Sequence, residues 1–224
     1  SNFDLLKIHL GQKRLMAVVK ADAYGHGSVE CARALEDHGC DSFAVFSFLE
    51  ALELRDNGIK SDILIFSKTH QHYLEPAFKN NLTLNISSLD DIDIFESHKL
   101  SNEKIPNFHL KFDTGMTRLG INISEASNVF ERVKRNLGTE CKGIYSHYAT
   151  ADEGDLSFAN HQFSLFNDVI ETAIEKEIKF ETIHFSNSGA SINLDQSKFD
   201  QVRVGMLLYG AYPSSEVPKD LPVD

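Results

Sequence analysis

The sequence predicts an α/β fold, a (β/α)8 barrel of the TIM type, on three observations. Eight short apolar, β-branched or aromatic runs recur along the 224 residues, separated by stretches with helical periodicity. Several runs are apolar almost throughout, as expected of parallel strands buried on both faces. An open doubly wound sheet shares the alternation but ordinarily carries G-x-G-x-x-G after its first strand, and "GHGSVE" (25–30) holds only the first two glycines.

The candidate strands are "LMAVVK" (15–20), "SFAVFS" (42–47), "DILIFS" (62–67), "LTLNIS" (82–87), "NFHLKFD" (107–113), "CKGIYSHY" (141–148), "FETIHFSN" (180–187) and "VRVGMLLYG" (202–210). The spacers read as helices. "HG" at 38–39 and "NG" at 57–58 end the first two, and Pro76 shortens or kinks the third. Between the fifth and sixth strands Val129, Phe130, Val133 and Leu137 recur at helical spacing, with Ser124 as N-cap and Gly138 as stop. Between the sixth and seventh, Phe163, Phe166, Val169, Ile170, Ala173 and Ile174 form an apolar stripe. Residues 1–212 are expected to be one barrel domain, and the proline-containing tail 213–224 an exit segment.

Composition narrows the function. Hydrophobic residues at 42% and charged residues at 25% describe an ordinary soluble globule. A net charge of -11 without a dense basic run argues against nucleic acid as a partner. Cys31, Cys40 and Cys141 form no CxxC pair, so neither a disulfide framework nor a zinc ribbon is suggested, and a cytoplasmic location is expected. No apolar run approaches membrane-spanning length.

In a barrel the working loops follow the C-terminal ends of the strands. Lys20, Arg118, His147, Asn187, Ser188, Arg203 and Gly205 all fall there. Each has a plain alternative. Lys20 can snorkel to the surface, Arg118 can be a solvated arginine after a turn, and His147 a satisfied core histidine. Arg203 inside an apolar strand is harder to dismiss, because a guanidinium pointing into a barrel needs acceptors. "HQH" at 70–72 reads as a helix start whose side chains diverge, a poor metal site. H-E-x-x-H, G-x-S-x-G and Walker A patterns are absent. With Lys20 as the obvious nucleophile, two arginines, Tyr24 and a small polar loop suited to phosphate, the set suggests a Schiff-base enzyme using a phosphorylated aldehyde; pyridoxal 5'-phosphate fits.

"AVVKADAYGHG" (17–27) resembles the cofactor-lysine motif of the alanine racemases, fold-type III pyridoxal-phosphate enzymes. "KFDTGMTRLGI", "GIYSHYATADE", "HFSNSGAS" and "VRVGMLLYG" are similar to the family's other barrel motifs, in order. The resemblance implies that Lys20 carries the cofactor as an imine and serves as base on one face of the substrate α-carbon. Tyr24, Asn187, Ser188 and the backbone of Gly205 and Met206 would hold the cofactor, largely at its phosphate. Arg203 would face the pyridine nitrogen with His147 beside it. Arg118 would contact substrate carboxylate, Lys111 matches a position often carbamylated, and Asp152 would lie near substrate entry. An always-charged arginine cannot readily give its proton to the ring nitrogen, so the ring stays a weak electron sink, which favours racemisation over transamination.

The family's second base, a tyrosine, comes from a C-terminal β-domain of the other subunit in a homodimer. That domain is expected to be absent from this chain, leaving the chain as the barrel portion. The implied activity is interconversion of L-alanine and D-alanine, an isomerase step that supplies a peptidoglycan precursor. The competing expectation is a single-domain pyridoxal-phosphate carrier without turnover. Thr117 stands where the family usually has glycine, Val204 where it has proline and Gly189 where alanine is frequent.

Overall fold

The computed structural model describes residues 1–102, 104–196 and 198–224. Among them, nine parallel-paired strands form the sheet: β1 (Arg14–Val18), β2 (Ser42–Val45), β3 (Asp62–Ile65), β4 (Leu84–Ile86), β5 (Phe108–Asp113), β6 (Ile121–Asn122), β7 (Cys141–Tyr145), β8 (Thr182–His184) and β9 (Gln201–Val204). Their order is β3-β2-β1-β9-β8-β7-β5-β4, with β6 a two-residue addition beside β5. A single parallel bridge, Leu64 to Thr83, joins β3 towards β4, flanked by Thr83 N–H to Ile63 O at 2.9 Å and Ile65 N–H to Thr83 O at 3.0 Å. Eight strands thus make the nearly closed barrel that the alternation predicts.

Strand parity divides the side chains into two sets. Leu15, Ala17, Val19, Phe43, Val45, Ile63, Phe108, Leu110, Phe112, Ile144, Val202 and Val204 belong to the large core shared with the helices. Met16, Val18, Ala44 and Leu64, with Phe66 against them, form a second cluster of opposite parity inside β1–β3. The other half of the interior is polar: Asn85, His109, Lys111, Tyr145, His184 and Arg203 are all buried. Gly143 belongs to this face, since a Cβ there would lie 2.7–2.8 Å from the His109 ring.

The helices are α1 (Asn2–Leu10), α2 (Lys20–Gly25), α3 (Ser28–Asp37), α4 (Phe48–Asp56), α5 (Leu74–Lys79), α6 (Leu89–Asn102), α7 (Ala126–Arg132), α8 (Ser157–Glu175) and α9 (Ser188–Asn193). The expected stops hold: Gly39, Gly58 and Gly138 follow their helices with φ of 85°, 90° and 68°. α5 is a six-residue helix at Pro76.

Several expectations are corrected. Each strand is shorter than the run that predicts it, and at the C-terminal ends of β1, β7 and β8 the excess residues leave the sheet for the loops at the mouth. Lys20 follows β1 rather than ending it. "VRVGMLLYG" is a strand only to Val204; Met206–Tyr209 is a 3-10 helix. The turn before α7 is capped by the Asn122 side chain, which accepts from Ser124 N–H, so Ser124 is the capped residue. Ile174 is 67% exposed, off the buried stripe of α8. His70 and His72 stack at 5.6 Å rather than diverging, and no cluster of three metal-ligating side chains exists among the described residues. No helix among them is long and apolar enough to cross a membrane.

Because only hydrogen fits beside the His109 ring, Gly143→Ala is expected to destabilise the fold by about 1–3 kcal/mol. A thermal melt checks this, with a fall in Tm of roughly 2–12 °C for a chain of this size; an unchanged Tm contradicts the inward placement of Gly143.

Candidate active site

The segment after β1 turns the wrong way for L-residues. Ala21, Asp22, Ala23 and Tyr24 all have φ between 52° and 55°, one turn of left-handed helix, a conformation costing about 1–2 kcal/mol per residue. Specific bonds hold it: Ala23 N–H donates to Val19 O at 2.9 Å, Gly27 N–H to Asp22 O at 3.0 Å, and Ser28 N–H to the Asp22 carboxylate at 2.7 Å. The Ala21 N–H donates to Glu50 Oε1 at 2.7 Å. The turn sets Lys20 at the barrel mouth and returns Tyr24 to it, where a Cβ on Gly205 would lie 2.6 Å from the Tyr24 hydroxyl. Tyr209 supports the phenol from behind, its ring 5.4 Å away and its hydroxyl donating to Val18 O.

Arg203 fills the floor. Its guanidinium donates to Ser146 O at 2.9 Å, Phe185 O at 3.0 Å, His147 Nδ1 at 3.0 Å and His184 Nδ1 at 2.8 Å, with the Tyr145 ring 5.2 Å off its face. Arginine only donates, so both Nδ1 atoms accept, and both imidazoles are neutral with hydrogen on Nε2. His184 Nε2–H then donates to His109 Nδ1 at 2.9 Å. Burial, and after it the charge of Arg203, holds the His147 and His184 pKa values well below the ordinary histidine value. Burial, then Arg14 and Arg203, brings His109 down to about 3. Arg203 itself is pulled to about 10 by burial, with Tyr145 opposing, and stays charged at neutral pH. Tyr145 stacks on His184 at 4.7 Å and donates its hydroxyl to Asn85 Oδ1 at 2.9 Å.

Two adjoining cavities open at this mouth. One, of about 190 Å³, is lined by Lys20, Tyr24, His147, Asp152, Asn187, Ser188, Arg203, Gly205 and Met206. At one end the Gly205 N–H donates to Ser188 Oγ at 3.1 Å, while the Asn187 side chain caps α9 through Ala190 N–H. The other, of about 100 Å³, is lined by Lys20, Phe46, Phe66, Lys111, Arg118, Tyr145, His147 and Arg203. Lys20, His147 and Arg203 line both. The structure therefore brings together every residue singled out by sequence, dividing them between the two spaces. Met206, at the edge of the first cavity, is 38% exposed.

Four cations, Lys20, Lys111, Arg118 and Arg203, converge in a chain that carries a net charge of -11. Burial lowers the pKa of Lys20, helped by Arg118 and Arg203 and opposed by Glu50. Burial, then Arg203 and Arg118, takes Lys111 down to about 7, against a raising effect of Asp113. A site of this composition accepts anions and holds a lysine amine in reach of its neutral, nucleophilic form.

Sequence alone assigns no role to Tyr145, His184, His109 or Asn85. Their signal was parity: polar residues at alternate positions of otherwise buried strands, matching Lys111, His147 and Arg203. Of the departures noted, Thr117 adopts φ 55°, a conformation that favours glycine, with its N–H on Asp113 Oδ1 at 3.0 Å. An alanine at Gly189 would place its Cβ 2.9 Å from Asp152 Cβ, so glycine lets that loop close on α9.

The family model "Alanine racemase, N-terminal domain" matches residues 1–213. Alanine racemase 1 of Caldanaerobacter subterraneus is 38% identical over 220 residues, covering 97% of this chain and 57% of that protein. Alanine racemase 1 of Bacillus subtilis is 36% identical over 223 residues, covering 99% and 56%. Among solved structures, the Clostridium difficile alanine racemase in complex with cycloserine superposes with a TM-score of 0.93 at 32% identity, over 99% of this chain and 61% of that one. The Bartonella henselae alanine racemase with covalently bound pyridoxal phosphate gives 0.88 at 27%, over 100% and 63%. The chain thus spans somewhat over half the length of the relatives it matches.

Folding lowers the Lys111 pKa, so the folded state disfavours its charge. The destabilisation is fully present below about pH 7 and vanishes as pH rises towards the ordinary lysine value of 10.5. Lys111→Met is therefore expected to be more stable than the parent chain near pH 6, on the order of a few kcal/mol, the gap shrinking towards about pH 10. Urea unfolding across pH checks this, and a pH-independent gap contradicts it.

Proposed function

As the chain belongs to the alanine racemase family, we propose that it binds pyridoxal 5'-phosphate through Lys20 and is the cofactor-bearing part of an isomerase interconverting L-alanine and D-alanine. The observation that carries this reading is the convergence of Lys20 with three further cations around two joined cavities, one ending in hydroxyl and amide donors. The residues present fit the group. Ser188 Oγ, the Gly205 and Met206 backbone, Tyr24 and Asn187 would hold its phosphate end, and Arg203 would face its ring nitrogen. When bound, the cofactor supplies an electrophilic aldehyde and an electron-withdrawing ring that acidifies the α-carbon of an amino acid.

The chain's own residues supply the rest. Lys20, its amine pKa lowered by burial and by Arg118, is suited to accept a proton at Nζ from one face of the substrate. Arg203, donor only and buried, directs N–H groups rather than a transferable proton towards the ring. Arg118, exposed at the second cavity, would meet a substrate carboxylate as a bidentate donor. His147 keeps Nε2–H available while its Nδ1 is tied to Arg203. Lys111, with a pKa near 7, is half neutral at physiological pH, and a neutral amine beside Arg118 and Arg203 suits carbamylation by carbon dioxide.

A homodimer belongs to the same proposal. Phe46 and Met206, which line the two cavities, are 51% and 38% exposed, apolar surface at the mouth that a second subunit would cover. The division into a barrel over 1–212 and an exit segment over 213–224 is likewise proposed. That segment packs on the site: Ser214 Oγ donates to Asp152 O, and Gly154 N–H donates to Glu216 at 2.6 Å.

Titration with pyridoxal phosphate is expected to produce the absorbance band of lysine-linked cofactor, absent in Lys20→Ala. In protein carrying this barrel, conversion of L-alanine to D-alanine is expected to fall about 10²–10⁴-fold or more in that variant. A band without any conversion would instead describe a cofactor carrier, and no band would overturn the reading.

A further inference from the structure

Glu50 stands outside every motif discussed above, yet its carboxylate joins two loops of the barrel mouth. Oε1 accepts from the Ala21 N–H at 2.7 Å, the first amide after Lys20. Oε2 accepts from Phe46 N–H at 2.9 Å, Ser47 N–H at 2.7 Å and Ser47 Oγ–H at 3.0 Å, the capping box that starts α4. A capping box needs only the Ser47 contacts. The extra bond reaches 29 residues back, to the entry of the left-handed turn, where right-handed bonding cannot serve the Ala21 amide. Titratable and charged groups sharing the two cavities with Lys20 are Tyr24 from its own turn, Lys111 on β5 and Arg118 in the loop after it, Tyr145 on β7 and His147 after it, Asp152, and Arg203 on β9. Arg118 and Arg203 disfavour the ammonium form of Lys20, and the Glu50 charge favours it.

We propose that Glu50 is a positioning residue for Lys20: its carboxylate clasps the left-handed turn to the start of α4, and so fixes where the amine is presented and places a negative charge beside it. Glutamine can satisfy one side of this clasp but must turn its NH2 towards donors on the other. Aspartate keeps the charge and is one methylene too short to span both.

The inference rests on the reading of Lys20 as the reactive amine, but its test needs no cofactor, so a failure to bind pyridoxal phosphate would overturn that reading and leave this result standing. Trace acetic anhydride labels neutral amines, and mass spectrometry of the peptide bearing Lys20 across roughly pH 6–11 gives its titration midpoint. Glu50→Gln is expected to lower the midpoint by roughly 0.3–1 pH unit, whereas Ser47→Ala, which weakens the cap and keeps the charge, leaves it in place. Glu50→Asp is expected to speed hydrogen exchange at the Ala21 amide about tenfold or more. An unmoved midpoint in Glu50→Gln with a lowered Tm would reduce Glu50 to a helix cap and overturn the proposal. If Glu50→Gln does not fold, unchanged exchange at Ala21 in Glu50→Asp overturns it.

Discussion

A fully buried guanidinium, with no carboxylate partner among the described residues, organises this barrel. Burying a charge costs several kcal/mol unless its donors are met, and Arg203 meets its need with neutral acceptors: two main-chain carbonyls, from Ser146 and Phe185, and two imidazole nitrogens. The carbonyls belong to the segments after β7 and β8, so one side chain on β9 fixes the start of both working loops. The imidazoles can accept only while neutral, so the same contact sets the tautomers of His147 and His184 and, through His184, of His109. Arg203 thus fixes loop shape and tautomer together, while burial, and after it the Arg203 charge, keeps the imidazoles neutral.

The remaining charges follow from that choice. Burial, and after it the charge of Arg203, takes proton affinity from the neighbouring bases, bringing Lys111 to about 7. Lys20 feels the same field at the junction of both cavities, tempered by Glu50. The left-handed turn adds the geometry: it keeps the lysine at the mouth and brings Tyr24 and the Gly205 amide together over one end of the larger space. A strongly acidic chain thereby maintains a local anion site, by gathering Lys20, Lys111, Arg118 and Arg203 at one end of the barrel.

The fold was legible in the sequence because parallel strands buried on both faces leave runs too apolar for any other place, and helix stops such as Gly39, Gly58 and Gly138 are local chemistry. The ends of the runs were not, since "YSHY" and "HFSN" continue the composition of a strand after leaving the sheet. Lys20, Arg118, His147, Ser188 and Arg203 could be read from position and motif. The left-handed turn could not: Ala21, Asp22, Ala23 and Tyr24 carry no glycine signal, and the bonds that impose their conformation come from Val19, Ser28 and Glu50. His184 and His109 are 75 residues apart, so their pairing is invisible to any local pattern. Only the shared parity of polar positions on buried strands pointed at that half of the interior.

The nitrogen-15 spectrum of the histidine-labelled chain, followed from about pH 5 to 8, tests the organising role of Arg203 most directly. The account predicts that His147 and His184 stay neutral throughout, each with an unprotonated Nδ1 and a hydrogen on Nε2. An imidazolium at either position titrating near the ordinary histidine value would contradict it, because a cation there cannot accept from the guanidinium.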